Sequence, residues 1–217
     1  MDIVVISQKN AKDRRKTLDE RLEYGGITKY TIFDAITSKD VETYDRMWDY
    51  ENIIYPFGVW KHDPRLKNKR KNTSRIACYL SHSTVINRAD PFQKLVIIED
   101  DIYFKKQDIF ETTVGFVPED CFMAFWDCTH IEYLDKNWNT YKTSGWYKID
   151  PTKVRVWCAG CYLINDVATV KSVLKEKKEA RVWDKCLIDY FQKNYPCYVW
   201  LAPSCLQDRE TFESGIK

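Results

Sequence analysis

The sequence predicts an α/β fold, a single domain built around a mostly parallel, partly mixed central β-sheet. Short apolar runs rich in β-branched residues alternate with segments of helical periodicity, a pattern typical of parallel strands joined by crossover helices. The chain of 217 residues is long enough for one full hydrophobic core, so we expect one domain over 1–217. From residue 121 onward the pattern is less regular, and we expect the mixed part of the sheet there.

The first elements alternate regularly. Residues 2–7, DIVVIS, form a short, uninterrupted segment rich in β-branched residues, typical of a buried parallel strand. A helix follows in which two leucines lie four residues apart, and Gly25–Gly26 end it. Residues 30–36 predict a second strand. Thr37 and Asp40, three residues apart, then predict a capping box at the start of the next helix.

The middle of the chain carries a long segment without periodicity. Residues 50–72 contain two prolines, a glycine and a basic run, and they predict a loop. Residues 73–90 predict a helix that begins with capping residues, and residues 94–99 predict a buried strand. The second half predicts strands near 121–127, 155–164 and 197–201, and helices near 166–176 and 183–194.

Composition and charge exclude several classes of function. Lys and Arg total 34 against 32 Asp and Glu, a net charge of +2, so no charge signal points to nucleic acid. No apolar stretch approaches the roughly 18 residues of a membrane helix, and the N-terminus lacks the features of a signal peptide. We therefore expect a cytoplasmic protein whose eight cysteines are reduced and mostly buried.

Three consecutive carboxylates end the apolar strand 94–99. Ligands of open α/β sheets collect beyond the carboxyl ends of the strands, where this triplet lies. Successive side chains of an extended segment face opposite ways, so Glu99 and Asp101 can converge while Asp100 points elsewhere. Converging carboxylates repel each other unless a cation or proton lies between them, and Mg²⁺ or Mn²⁺ carrying phosphate oxygens suits such a pair. The alternative is an inert, solvated acidic turn.

The residues around the triplet match a longer pattern. The segment SRIACYLSHSTVINRADPFQKLVIIEDDIYF resembles the core signature of glycosyltransferase family 25, in which a Gly-Cys-x-x-Ser-His helix start precedes an apolar strand ending in Glu-Asp-Asp. Ala77 replaces the family's glycine, and Arg75 stands where an acidic residue is usual. The matching residues are Cys78, Ser81, His82, Glu99, Asp100 and Asp101.

Other segments match in the family's order along most of the chain. They are VVISQKNAKDRR, IFDAI, CAGCYLIND, WDKCL and PSCLQDRETFESGI. The spacing over 37–72 and 105–155 departs from the family's pattern, which affects the side where an acceptor would bind.

The resemblance implies a GT-A-like, Rossmann-like domain in which about 1–104 bind a nucleotide sugar and about 105–217 bind the acceptor. Members of this family transfer galactose and related sugars in lipopolysaccharide and collagen glycosylation. We therefore expect a hexosyltransferase that depends on Mn²⁺ or Mg²⁺ and takes its sugar from a UDP-sugar. The acceptor would be a hydroxyl group of a glycan, a lipid-linked glycan or a protein, and the anomeric centre would be inverted.

The same resemblance assigns roles to individual residues. Glu99 and Asp101 are the expected metal ligands. Inversion needs one general base, for which Asp184 is our first choice and Asp127 our second. The residues expected at the nucleotide sugar are Ser7, Arg14, Asp34, Arg75, His82, Glu99, Asp100 and Gln207.

Two functions of other classes stay open on the sequence. One is a catalytically inactive module of the same fold that only binds a sugar nucleotide or a protein. The other is a thiol oxidoreductase using Cys158 and Cys161, although these cysteines fall late in the chain and inside a strand-like run. The basic segment 61–71 is either a solvated loop or a contact to an anionic acceptor, a phospholipid surface or nucleic acid.

Overall fold

A computed structural model describes residues 1–44, 69–127, 129–135, 145–157, 159–177, 182–201 and 204–208. Its strands are β1 Asp2–Ser7, β2 Thr31–Asp34, β3 Leu95–Glu99, β4 Ile102–Phe104, β5 Met123–Phe125, β6 Ile131–Tyr133, β7 Trp146–Lys148, β8 Val154–Val156, β9 Cys161–Ile164, β10 Cys197–Trp200 and β11 Cys205–Gln207. Its helices are α1 Lys12–Lys16, α2 Leu18–Tyr24, α3 Ser38–Tyr44, α4 Lys69–Arg88, α5 Ile109–Val114, α6 Val167–Lys177 and α7 Trp183–Cys186, the last continued by a π-helix over Leu187–Gln192.

A seven-stranded sheet organises the molecule, in the order β2–β1–β3–β9–β5–β10–β7. Strands β1, β2 and β3 are parallel to one another, and β9 is antiparallel to both β3 and β5. Strand β10 runs parallel to β5, and β7 closes the edge antiparallel to β10. Five strands therefore point the same way, and the mixed part lies in the second half. This confirms the α/β fold that the sequence predicts.

The core lies in two apolar layers, one on each face of this sheet. Strand β3 contributes to both layers, because Ile97 belongs to one and Ile98 to the other. Residues 95–98 of that strand are all at most 1% exposed, which explains why its sequence shows no polar alternation. Burying such side chains contributes about 1.5–3 kcal/mol each, so β3 is a fixed platform for the carboxylates that follow it.

Several predicted boundaries are confirmed. Helix α2 ends at Tyr24, and Gly26 adopts a φ of 88°, a conformation that favours glycine. The capping box is present, because the Thr37 amide donates to Asp40 Oδ2 over 2.7 Å and the Asp40 amide donates to Thr37 Oγ1 over 3.3 Å. No helix in the described ranges has the length and apolarity needed to cross a bilayer.

The single strand predicted over 155–164 is wrong. It is two strands in different sheets, because β8 pairs with β6 in a separate ribbon while β9 enters the central sheet. The chain turns between them at Gly160, where a Cβ atom would lie 2.4 Å from Asp127 Oδ2 and from Ile102 Cδ1. The close approach of these two residues leaves no room for a side chain at this position.

Two further predictions need correction at their boundaries. The predicted loop 50–72 is too long, since residues 69–72 already form the first turn of α4, while 50–68 lie outside the described residues. The first predicted helix is two helices, α1 and α2, that meet at Thr17. The short elements β4, β6, β7, β11 and α5 were not predicted, because they are too brief to show a period in the sequence.

Candidate active site

A cleft with a volume of about 230 Å³ opens at the edge of the sheet where β1, β2 and β3 end. It lies where ligands of open α/β sheets collect. The predicted site residues that line it are Arg14, His82, Glu99, Asp100, Asp101, Asp184 and Gln207. Four other predicted site residues are not among its lining residues, namely Ser7, Asp34, Arg75 and Asp127.

Asp100 is a structural anchor between β1 and β3. Its Oδ2 accepts a hydrogen bond from Ser7 Oγ over 2.7 Å, and its Oδ1 accepts one from Arg14 Nη1 over 2.9 Å. Its amide donates to the Ile6 carbonyl over 3.1 Å, and the residue is only 5% exposed. Both oxygens of this carboxylate are therefore satisfied within the protein, and Asp100 fixes where its neighbours point.

Ser7 and Asp34 both contact Arg15, a residue that was not predicted at the site. Arg15 Nε donates to Ser7 Oγ over 3.0 Å, and Arg15 Nη2 contacts Asp34 Oδ1 at 2.5 Å. The Asp34 side chain is exposed, and its hydrogen bond with Arg15 lowers its pKa. Ser7 is fully buried. Arg75 is half-buried in α4. The donor contacts predicted for Ser7, Asp34 and Arg75 stay predictions.

Glu99 is held at both of its oxygens. His82 Nε2 lies 3.1 Å from Oε1, and Gln207 Nε2 donates to Oε2 over 2.9 Å. Burial alone would raise the pKa of Glu99, but its hydrogen bonds with His82 and Gln207, together with the charge of Arg14, hold it below its ordinary value. Glu99 is therefore an ionised carboxylate at neutral pH.

Asp101 is the unsatisfied member of the triplet. Its Oδ1 is buried and has no hydrogen-bond partner among the described residues, and its Oδ2 lies 3.8 Å from Arg14 Nη1. Burial, followed by repulsion from Glu99, raises the pKa of Asp101 to about 7. A buried carboxylate oxygen of this kind requires a proton or a cation, and it lies in a cleft open to ligands.

The pair Glu99 and Asp101 fits a hard divalent cation. Both groups are carboxylates, one is held ionised, and the other has an unpaired buried oxygen. Mg²⁺ and Mn²⁺ prefer oxygen ligands and commonly take one or two protein carboxylates, with phosphate oxygens completing the shell.

A second group of donor atoms is a poorer fit to a metal ion. Ligand atoms of Cys78, His82 and Glu99 all lie within 4.8 Å of one another. However, His82 Nδ1 already contacts the Tyr162 hydroxyl at 2.9 Å, and its Nε2 contacts Glu99. Burial also raises the pKa of the Cys78 thiol well above its ordinary value. A metal bound by His82 would have to break a buried hydrogen bond.

Asp127 links the end of β5 to the start of β9 by hydrogen bonds. It is fully buried, and its Oδ1 accepts from the Thr129 amide over 2.8 Å while its Oδ2 accepts from the Gly160 amide over 3.2 Å. Burial raises the pKa of Asp127 to about 6, against the opposing hydrogen bonds of Thr129. This setting is that of a structural carboxylate, although its role as second-choice base is a prediction still to be tested.

Asp184 lines the cleft from the first turn of α7, beside Trp157 and Ala159. The N-cap of this helix is Val182, so Asp184 is not its capping residue. It is half-buried. A carboxylate in a first helical turn is stabilised in its charged form by the helix dipole.

Gln207 reaches Glu99 because the last described segment folds over the triplet. Strand β11 pairs with β4, and the Gln207 amide donates to Thr129 Oγ1 over 2.9 Å. The Asp208 amide donates to the Asp101 carbonyl over 2.7 Å, and Ser204 Oγ donates to the Trp126 carbonyl over 2.7 Å. These hydrogen bonds hold segment 204–208 in place, and Gln207 therefore has a fixed position beside Glu99 and Asp101.

The sequence matches the family model described as glycosyltransferase family 25 (LPS biosynthesis protein) over residues 1–190. The chain therefore belongs to glycosyltransferase family 25, as its motifs predicted, and it is a glycosyltransferase. A search of curated proteins found no match.

Three solved structures show a distant likeness to the chain. A crystal structure of a glycosyltransferase involved in the glycosylation of the major capsid of PBCV-1 has 8% identity and a TM-score of 0.44, over 96% of this chain and 94% of that one. The galactosyltransferase LgtC in complex with donor and acceptor sugar analogues has 13% identity and a TM-score of 0.35, over 79% and 60%. The 4-diphosphocytidyl-2C-methyl-D-erythritol synthase from Anaerococcus prevotii DSM 20548 has 12% identity and a TM-score of 0.44, over 99% and 94%.

Proposed function

We propose that this glycosyltransferase moves a hexose from a UDP-sugar to a hydroxyl group of a glycan, a lipid-linked glycan or a protein, with inversion and with the help of Mn²⁺ or Mg²⁺. The observation that carries the proposal is the pairing of an ionised Glu99 with Asp101, whose buried Oδ1 has no hydrogen-bond partner among the described residues. This pair supports a divalent cation bound together with a diphosphate.

Three groups around the cleft would act on the donor. Glu99 and Asp101 would hold the cation, which neutralises charge on the diphosphate leaving group when bound. Arg14 lies 3.8 Å from Asp101 at the rim of the cleft and supplies a permanent positive charge for phosphate oxygens. Asp100 would act indirectly, because its hydrogen bond with Arg14 sets where that guanidinium lies.

Asp184 is the group best placed to activate the acceptor. In the proposed step the acceptor hydroxyl gives its proton to the Asp184 carboxylate, and its oxygen forms the new bond to the anomeric carbon. The bond from that carbon to the diphosphate oxygen breaks at the same time, and its electron pair leaves with UDP. A single displacement of this kind inverts the anomeric centre and needs one base. Trp157 lines the same cleft and offers an aromatic wall to a sugar ring.

The test is a panel of nucleotide sugars, each with Mn²⁺, Mg²⁺ or a chelator, in which UDP release and thermal stability are both measured. We expect the preferred UDP-sugar to raise the melting temperature only with the metal, because ligands that bind the native state stabilise it. Asp101→Asn should lose both the shift and UDP release, whereas Glu176→Gln on the exposed end of α6 should lose neither. Full activity in the chelator would overturn the metal dependence.

The thiol oxidoreductase has less support than sugar transfer. Cys161 is fully buried in β9, opposite Ile98 of β3 in the centre of the sheet, and Cys158 lies outside the described residues. Catalytic thiols need partial exposure, which Cys161 lacks. The basic segment proposed as a membrane or acceptor contact also lies outside the described residues over 61–68, and it stays a proposal.

A further inference from the structure

A buried chain of hydrogen bonds runs behind Glu99. The indole Nε1 of Trp183 donates to the Tyr162 hydroxyl over 3.1 Å, and that hydroxyl lies 2.9 Å from His82 Nδ1. His82 Nε2 then lies 3.1 Å from Glu99 Oε1. Trp183, Tyr162 and His82 are each at most 1% exposed, so their polar atoms depend on one another rather than on solvent.

The hydrogen-bond chain has a donor-to-acceptor direction, which follows from the chemistry of Trp183. An indole N–H can only donate, so the Tyr162 oxygen accepts from Trp183. Burial raises the pKa of Tyr162 well above its ordinary value, so the hydroxyl keeps its proton and needs an acceptor. His82 Nδ1 is the acceptor within reach among the described hydrogen bonds of Tyr162. His82 therefore carries its proton on Nε2 and donates it to Glu99.

Ring packing holds this arrangement in place. The His82 ring stacks on the Trp183 indole with centroids 5.2 Å apart and an interplanar angle of 12°. Tyr79 packs against the same indole in an edge-on contact, with ring centroids 5.8 Å apart. Since Trp183 immediately precedes Asp184, the same indole belongs to the turn that carries the proposed base.

We propose that His82, Tyr162 and Trp183 are positioning residues, which hold the Glu99 carboxylate in one orientation and fix its spacing from the turn that carries Asp184. This inference rests on the proposed function, because it gives three buried residues a role in that same reaction. None of them needs to touch the substrate. Their effect passes through the Nε2–H of His82, which occupies one lone pair of Oε1 and leaves the remaining lone pairs of Glu99 for the metal.

The tautomer of His82 can be measured directly. The chain contains three histidines, so the ring signals in a ¹⁵N NMR spectrum are few, and His82→Gln identifies those of His82. We expect one tautomer at neutral pH, with Nε2 protonated and Nδ1 accepting. A protonated Nδ1 with a bare Nε2, or an exchanging mixture of both tautomers, would overturn the inference.

Variants of His82 and Tyr162 test the effect of this hydrogen-bond chain on the reaction. Tyr162→Phe keeps the ring but removes the hydroxyl, and we expect the Mn²⁺ concentration for half-maximal activity to rise about tenfold, with a lower kcat. His82→Leu should do the same, whereas His82→Gln can still donate an N–H to Glu99 and should retain most of the wild-type metal dependence. The matched control is Tyr198→Phe, which removes a hydroxyl bonded to Asp120 at a distant site.

The outcomes separate this inference from the proposed function. A lower melting temperature in Tyr162→Phe with an unchanged Mn²⁺ requirement would mean that the chain is only structural, and would overturn the inference. An active wild-type protein whose His82 is protonated on Nδ1 also contradicts the inference alone. A wild-type protein that transfers no sugar from any UDP-sugar contradicts the proposed function, whatever the tautomer of His82.

Discussion

Two kinds of carboxylate lie at the same edge of the sheet, and their surroundings differ. Asp100 and Asp127 accept hydrogen bonds at both oxygens, from Ser7 and Arg14 in one case and from Thr129 and Gly160 in the other. Asp101 has a buried oxygen without a hydrogen-bond partner in the described part of the chain. All three residues are aspartates, yet of these three only Asp101 has an oxygen without a hydrogen-bond partner among the described residues.

The difference separates structure from function on physical grounds. A satisfied buried carboxylate stabilises the fold, because each hydrogen bond to a charged group contributes about 1.5–3 kcal/mol. An unsatisfied one destabilises the fold unless a ligand compensates it, so it persists where a ligand is needed. We therefore expect changes at Asp127 to affect stability first, and changes at Asp101 to affect transfer first.

The largest effect is expected at Asp184. Asp184→Asn removes the proposed base but keeps the size of the side chain, and turnover should fall on the order of a hundredfold or more. Binding of UDP with Mn²⁺ and the melting temperature should stay close to those of the wild type. Transfer assays beside calorimetric titration of UDP measure both. Turnover near the wild-type value would remove Asp184 from the mechanism and make Asp127 the next base to test.

Asp127→Asn should have the opposite profile. The new amide group would face either the Gly160 amide or the Thr129 amide, so one acceptor is lost among buried donors. We expect the free energy of unfolding to drop by about 1–3 kcal/mol, measured by denaturant titration. Turnover of the folded fraction should fall far less than in Asp184→Asn. A variant of wild-type stability that cannot transfer sugar would reverse the comparison between these two carboxylates.

The smallest effect concerns stability against pH without metal. The pKa of Asp101 is raised to about 7 in the folded protein from an ordinary value of 3.8, so the folded state binds this proton more tightly. The contribution of Asp101 is therefore most favourable below pH 4 and is lost as the pH rises towards 7. Asn does not titrate, so Asp101→Asn should gain stability relative to the wild type as the pH rises across that window.

Parallel melts of the two proteins at pH 4.5 and pH 7.5 in a chelator measure this gain. Adding Mn²⁺ and UDP at pH 7.5 should stabilise the wild type and leave Asp101→Asn unchanged. A difference in melting temperature between the two proteins that does not vary with pH would show that the surroundings of Asp101 do not destabilise its ionised form.

The sequence predicted the regular part of the fold better than the contacts of the site. Strand β3 is visible because a buried parallel strand is a continuous apolar run, β1 is visible for the same reason in its second half, and the acidic edge follows from their direction. The break between β8 and β9 was missed because it depends on the approach of Asp127 to Gly160. The contacts of Arg15 with Asp34 and of Gln207 with Glu99 were not predicted either. The paired residues lie 19 and 108 positions apart in the sequence, and such pairs leave no local pattern.

The most direct test of the account is the binding of Mn²⁺ to the protein with UDP, followed by electron paramagnetic resonance. The wild type should bind one Mn²⁺ in the presence of UDP, and Asp101→Asn should lose that signal at concentrations where Asp127→Asn, once folded, retains it. Equal Mn²⁺ binding by the wild type and Asp101→Asn would contradict the assignment of the unpaired Asp101 oxygen as a metal ligand.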